Sequence, residues 1–472
     1  MNAVIPPHCD TPLAACQAPE QERFPRWVLW TTILASSLAF VDGSVVNVGL
    51  PAIQAGLRAD PAALQWVINA YLLPLGALLL LGGAAGDRLG RKAVFMAGIA
   101  AFGASSALCA AAWNLPVLLF ARTVQGVAAA FVLPNSLAIL GTSFAGAARG
   151  RAIGFWAAAG AAVGAAGPML GGWLIDVFGW RTIFLINLPL AGLSLAMAAV
   201  FVRQRHPGTS QARLDLSGSM LATAALGALT WALTVASGNA GWTPAALLVL
   251  LAGAVLLAGF VRVEAARGEH AAMPLSLFSS HTFVGLTVVT LLVYGALGAL
   301  LLLIPYVLIE GSHFSATAAG AALLPAPLVI ALLSPAAGAL AGRIGARGPL
   351  AAGSLLVGCG FLVLLAERAD SGYWQVIFPS LLLVAVGMSA VAAPLTTAVL
   401  AAAGAGSAGA ASGLNSAVSR VGGTFAVALL GGILGRAGSQ LLQAFHLAAV
   451  VAAVACFAAA AVAVLLVNEA PQ

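Results

Sequence analysis

From Trp27 onward the chain alternates long apolar runs with short polar punctuation, and the runs have the length of membrane-crossing helices. An α-helix rises about 1.5 Å per residue and needs about 20 mainly apolar residues to cross about 30 Å of hydrocarbon. With glycine, proline and charged loops taken as breaks, the pattern predicts fourteen helices. Six lie at 27–49, 66–86, 93–112, 116–142, 149–174 and 180–202, and two at 216–236 and 243–263. The last six lie at 282–308, 316–341, 347–366, 374–401, 407–435 and 445–467. Pro51 predicts the end of the first helix, because proline lacks the N–H an inner helical turn needs.

Composition supports a lipid-embedded chain. Of 472 residues, 61% are hydrophobic and only 7% charged, and the mean hydropathy is +1.04. Soluble domains carry about 25% charged residues, so a water-soluble fold is excluded. The net charge of +6 comes from residues scattered through short loops, without a basic face dense enough for nucleic acid. Their distribution sets the orientation. Fourteen of the twenty Lys and Arg residues fall on the side that holds the N-terminus, four on the other, and Arg122 and Arg420 lie inside helices. By the positive-inside rule both termini are cytoplasmic. Residues 1–26 are expected to be a disordered cytoplasmic tail; the stretch ending at Cys16 lacks the basic and apolar flanks of a lipoprotein leader. The five cysteines form no disulfide framework. Without a nucleotide loop, metal-ligand cluster or nucleophile–base pair, neither an enzyme nor a cofactor is expected.

An internal repeat shows how the chain is assembled. GGAAGDRLGRKAVFMAG at 82–98 aligns with AGALAGRIGARGPLAAG at 337–353, an offset of 255 residues. The first copy joins helices two and three, and the second joins ten and eleven, two helices later than a direct fusion of six-helix halves predicts. The division is therefore an N-terminal half at 27–203, an inserted helix pair with its loops at 204–281, and a C-terminal half at 282–472. Repeated halves with a site near the midplane are typical of secondary transporters.

Asp42, in FVDGSVVNVGLP, sits far inside the first apolar run, where a charge costs on the order of 2.5–3.5 kcal/mol on insertion scales. Arg122, in LLFARTVQGVAAA, lies in the fourth helix at a similar distance from the same membrane face, a depth difference of only ~3 Å. The two are expected to interact. Burial disfavours a charged carboxylate and a neighbouring guanidinium favours it, so relative movement of the two would switch proton affinity. Glu310, at the outer end of the ninth predicted helix, is the second acid candidate.

These segments resemble the major facilitator superfamily, in particular its fourteen-helix drug:proton antiporter branch. The resemblance rests on Asp42, Ser44, Val46-Asn47 and Leu50-Pro51 in helix one, and on the loop Gly83, Asp87, Arg88, Gly90, Arg91 and Lys92. Arg122, Gln125 and Gly126 match in helix four, and ASGLNSAVSRVGG at 411–423 in helix thirteen. In the fifth helix the antiporter-type segment has Gly154, Gly167, Pro168, Gly171 and Gly172, with Gly164 beside the position of the displaced middle glycine. Gly160, Gly164, Gly167 and Gly171 share one helical face suited to close packing.

The resemblance implies an all-α polytopic fold of two six-helix halves plus two inserted helices. It implies proton-coupled export of hydrophobic or amphiphilic small molecules across a bacterial cytoplasmic membrane, by a monomer. Asp42 and Arg122 would carry proton coupling, and the 83–92 loop would act as a conformational latch through Asp87. Possible substrate contacts are Asn47, Tyr71, Gln125, Trp156, Trp231, Tyr294, Asn415 and Arg420. Export of a lipid or an endogenous metabolite, and proton-coupled uptake, remain open as alternatives.

Overall fold

The computed structural model describes residues 25–468 apart from 61–62, 145, 205–215, 238–240, 269–274, 369–370, 431–432, 435 and 437. The expected tail with Cys9 and Cys16, and most of the loops flanking the inserted pair, lie outside the described residues. Every described regular element is helical.

In the first half, α1 (Pro25–Leu57), α2 (Gln65–Leu89), α3 (Arg91–Ala111), α4 (Leu115–Ser143) and α5 (Gly146–Phe178) follow the predicted order. A short α6 (Thr182–Leu185) and α7 (Asn187–Phe201) together make the sixth span. The tight turn before α4 is closed by Asn114, whose side-chain oxygen accepts the Val117 N–H at 3.0 Å, with Pro116 in the first turn where no donor is needed. The inserted pair is α8 (Leu216–Ser237) and α9 (Pro244–Arg267). The second half contains α10 (His281–Glu310), α11 (Ala316–Ala322), α12 (Pro325–Ile344), α13 (Arg347–Val363), α14 (Ile377–Leu429) and α15 (Gly438–Leu466).

Three boundaries differ from expectation. Pro51 does not end α1, which continues to Leu57; one proline removes a single ladder hydrogen bond, and the continuation, anchored by the buried Ile53, tolerates that loss. The tenth predicted span divides into α11 and α12 at Leu323–Leu324, just before Pro325. The twelfth and thirteenth predicted spans run on as one 53-residue element, α14. A straight helix of that length would reach about 80 Å, far beyond one bilayer crossing. Its first part packs on α13 at Gly387–Gly353, and its later part packs on α10 at Gly422–Gly295.

Among the described residues, twelve helices are long and apolar enough to cross a membrane, or thirteen with α2, which bends by 54° between Leu79 and Leu81. The remaining expected span, 407–435, falls largely in the later part of α14. The buried apolar core follows the halves: one cluster joins α1, α2, α4 and α5 to the second half, and another fills the inner part of the first half between α1 and α4.

Contact between the halves is closest at their outer ends, where α5 meets α11. A Cβ added at Gly172 would lie 2.2 Å from the Ala316 carbonyl oxygen, and one at Gly320 would lie 2.1 Å from that of Pro168. Only glycine permits backbones this close. Asp176 completes the seam. Its carboxylate accepts the Ala316 N–H at 3.1 Å, the Thr317 N–H at 2.8 Å and the Thr317 hydroxyl at 2.5 Å, at the positive end of α11. The halves are thus in contact at the end of the bundle opposite the start of α1, the outer end in the orientation that the charge bias predicts.

Candidate functional site

Asp42 and Arg122 are each only 1% exposed and form a direct salt bridge between α1 and α4. Amide donors complete the carboxylate's surroundings. Gln125 Nε2 donates to Asp42 Oδ1 at 3.0 Å, and Asn187 Nδ2 lies 3.4 Å from the same oxygen. On the arginine side, Nη1 donates to Gln125 Oε1 at 2.8 Å and Nε donates to the Val67 carbonyl at 3.0 Å. The guanidinium lies 4.4 Å above the Tyr71 ring, a cation–π contact. Ser106 receives the second N–H of Gln125 at 2.8 Å. Five helices, α1, α2, α3, α4 and α7, thus supply the partners of one ion pair, and all belong to the first half.

Such pairs are tolerated when every donor and acceptor is matched. Gln125 does the matching here. Its oxygen faces the cation and its nitrogen faces the anion, so one side chain spans both charges. Arg122→Gln would leave Asp42 buried without its countercharge, with an expected loss of about 3–5 kcal/mol. Thermal melting in detergent should show it, and the double variant Asp42→Asn/Arg122→Gln should recover a large part. An unchanged melting temperature in the single variant would contradict this energetic picture.

The structure places the other singled-out residues in varied roles. Tyr71 is 1% exposed and covered by Arg122, with its hydroxyl donating to the Ala39 carbonyl at 3.1 Å; it supports the pair. The Trp156 indole donates to the Ser36 and Ser136 hydroxyls at 2.9 and 3.1 Å. That use, together with its edge-on contact to Phe40, makes Trp156 a packing residue of α1, α4 and α5. Trp231 is 37% exposed on the inserted α8. Asn415 accepts the Thr290 hydroxyl at 2.6 Å and joins α14 to α10. Asn47 is buried in α1, Tyr294 is half-buried in α10, Arg420 is half-buried in α14, and Glu310 is exposed at the end of α10, away from the pair.

In the 83–92 loop, Asp87 pairs with Arg91 at 2.8 Å on its own side of the molecule. Arg91 also donates to the Ala138 carbonyl at 3.3 Å, and Lys92 to the Ala199 carbonyl at 2.8 Å. Gly90 has φ +97°, the left-handed region its turn requires. Every one of these contacts stays within the first half. A latch from Asp87 to the second half is absent among the described residues, in a structure whose halves are closed at the opposite, outer end.

The α5 glycines divide between two surfaces. A Cβ at Gly160 would meet Phe40 at 2.5 Å, at Gly167 the Ser44 hydroxyl at 2.1 Å, and at Gly171 Val45 at 2.6 Å, so these three fit α5 against α1. Gly172 instead faces Ala316 of the second half. Gly154 and Gly164 have no heavy atom within 4 Å of an added Cβ, so the expectation of one continuous glycine contact fails at Gly164.

Sequence reasoning missed three features. Ser106, fully buried under Gln125, is one serine among many in apolar runs. Asp176 was legible as an acid near the outer surface, but its partner, the start of α11, was not. Two further acids are buried near helix ends: Glu264 at 1% exposure and Glu367 at 2%. Burial pushes the Glu367 carboxyl up to about 7. Asp42 remains the acid paired in mid-span.

The Major Facilitator Superfamily model matches residues 32–427 and, in a second match, 286–472. The chain belongs to the major facilitator superfamily. This facilitator is 34% identical over 409 residues to the multidrug resistance protein Stp of Mycobacterium tuberculosis, covering 85% of this chain and 75% of that one. It is 34% identical over 423 residues to the puromycin resistance protein pur8 of Streptomyces alboniger, at 88% and 83% coverage. The cephamycin export protein CmcT of Amycolatopsis lactamdurans is 35% identical over 405 residues, at 84% and 82% coverage. Among solved structures, a peptide transporter POT superposes with a TM-score of 0.70 at 15% identity, over 94% of each chain. A bacterial homolog of the human lysosomal transporter Spinster, in an inward-facing and unoccupied conformation, superposes with a TM-score of 0.65 at 18% identity, over 94% of this chain and 97% of that one. At such identities the likeness concerns the fold. The facilitator is a multi-pass transporter, and not an enzyme.

Proposed function

We propose that this facilitator is a proton-driven exporter of hydrophobic or amphiphilic small molecules, of the fourteen-helix antiporter branch, working by alternating access in a bacterial cytoplasmic membrane. The observation that carries the reading is the Asp42–Arg122 pair: a carboxylate that is 1% exposed, matched by a cation and two amide donors, within a transporter fold. Drugs and antibiotics are the substrate class suggested by the relatives' names. The transporter needs no cofactor, functions as a monomer and keeps both termini in the cytoplasm. Its energy source is the proton gradient, in which one charge crossing 100 mV supplies about 2.3 kcal/mol.

The geometry suggests how the cycle divides. With α5 and α11 in contact at the outer end, Asp42 is paired with Arg122 and buried. All its partners belong to the first half, so proton access requires a shift inside that half as well as rocking of one half on the other. Protonation removes Arg122's countercharge and releases the guanidinium toward Gln125, Val67 and Tyr71, which already hold it. Closing the inner side would then bring Asp87 toward the second half.

A resistance and efflux panel in a pump-deficient host tests the proposal. Expression should lower accumulation of one or more amphiphilic compounds, and a protonophore should abolish the effect. Protonophore-insensitive efflux would overturn the coupling. Movement of lipid alone in reconstituted vesicles would replace the substrate class.

A further inference from the structure

A second cation, Arg420, lies within the helices with no counterion among the described residues. Arg420 lies in the later part of α14, about midway along the predicted 407–435 span, and its stem runs over Gly76 of α2: a Cβ added there would be 3.3 Å from the Arg420 Cβ. Arg122 has Asp42 directly against it, whereas the Arg420 guanidinium has no ion pair and no hydrogen bond to any described residue. Tyr71 is within electrostatic reach of it, and the Tyr71 hydroxyl is already committed to the Ala39 carbonyl. The other described acids are placed elsewhere: Asp42 pairs with Arg122, Asp176 caps α11, Asp87 pairs with Arg91, Asp60 follows the end of α1, Glu264 is buried in the last turn of α9, and Glu310 and Glu367 stand at helix ends.

This is an unusual charge to keep. A cation at mid-depth costs on the order of 2.5–3.5 kcal/mol on insertion scales, and a buried charge without a partner is the expensive case. Asp42 and Arg122 pair with each other, whereas Arg420 has no ion pair among the described residues. The position is also at the seam of the halves, since α2 belongs to the first and α14 to the second. On the α14 wheel Arg420 shares a side with Ser416 and Gly423; α10 packs along Asn415, Gly422 and the Gly423 backbone, while a Cβ added at Gly423 would meet nothing within 4 Å.

We propose that Arg420 is the recognition group for the substrate, and that the preferred substrate is an apolar molecule carrying one anionic group, a carboxylate, sulfonate or ionised phenol. A guanidinium offers a planar fork of donors suited to such oxygens. The rest of the molecule would rest on the apolar surfaces of α2 and α10, where Tyr294 is half-buried. This inference rests on the transport reading above and names the substrate class within it.

A matched pair of fluorescent probes tests it: 8-anilinonaphthalene-1-sulfonate and its uncharged parent N-phenyl-1-naphthylamine. Binding is measured to the full chain in lipid nanodiscs, with empty nanodiscs subtracted. The wild type should bind the sulfonate at least about tenfold more tightly than the parent. Arg420→Gln should abolish that preference, and Arg420→Lys should keep part of it. Because an unpaired charge is removed, Arg420→Gln should melt at or above the wild-type temperature. Equal affinities in the wild type, a preference that survives Arg420→Gln, or a lowered melting temperature with the preference intact would each overturn the proposal. Failure of the efflux panel with the probe preference intact would overturn the transport reading and leave anion recognition standing.

Discussion

Asp42→Asn is expected to abolish proton-driven accumulation in inverted vesicles, to the level of vesicles lacking the protein. Asparagine keeps the shape and still meets the donors of Gln125 and Asn187, which lie 3.0 and 3.4 Å from the wild-type carboxylate. It cannot carry a proton on and off. Arg122 loses its countercharge but keeps the Val67 carbonyl, the Gln125 oxygen and the Tyr71 ring. The variant should therefore fold well enough to be measured, and substrate exchange without net proton movement should persist. That split between exchange and accumulation identifies a coupling residue. Normal proton-driven accumulation in Asp42→Asn would remove it from that role.

Gly320→Val is expected to prevent the outer ends from closing. A Cβ at this position would lie 2.1 Å from the Pro168 carbonyl oxygen and 2.4 Å from its carbon, both of them backbone atoms of α5. No flexible side chain is present to give way, so α5 and α11 must separate, and Gly172–Ala316 and the Asp176 cap must separate with them. Transport should stop with the transporter held open to the outside. On a background free of the native cysteines, Ala316→Cys is the reporter, because Ala316 is 8% exposed in the closed state. Its labelling by a membrane-impermeant maleimide should rise several-fold in the Gly320→Val variant. Wild-type transport with a protected cysteine would show that this seam is not the gate.

Much of the site was legible in the chain because depth in a membrane is a one-dimensional quantity. Counting residues from helix ends brought Asp42 and Arg122 to the same level, and an expensive charge calls for a partner of opposite sign. Gln125, three residues from Arg122, shares its face. Direction around a helix is much harder to count across many packed helices, and there the reading went astray. Trp156 looked available for a substrate, yet Ser36 and Ser136 on two other helices consume its N–H. Tyr71 looked like a cavity lining and lies beneath Arg122 instead. Gly164 shares the glycine face of α5, but a Cβ added there would meet nothing within 4 Å.

By itself the sequence determined that this chain is a membrane-embedded helical bundle that carries one deep acid level with a deep base, and it predicted repeated halves, an inserted pair and an orientation. These are consequences of hydropathy, charge and spacing, which act locally or along the membrane normal. Only the tertiary structure decided that the halves meet through Gly172, Gly320 and Asp176, that Asp87 pairs within its own half, and that Arg122 has a counterion while Arg420 has none among the described residues. Those outcomes depend on which faces of distant segments meet, and packing of whole helices sets that.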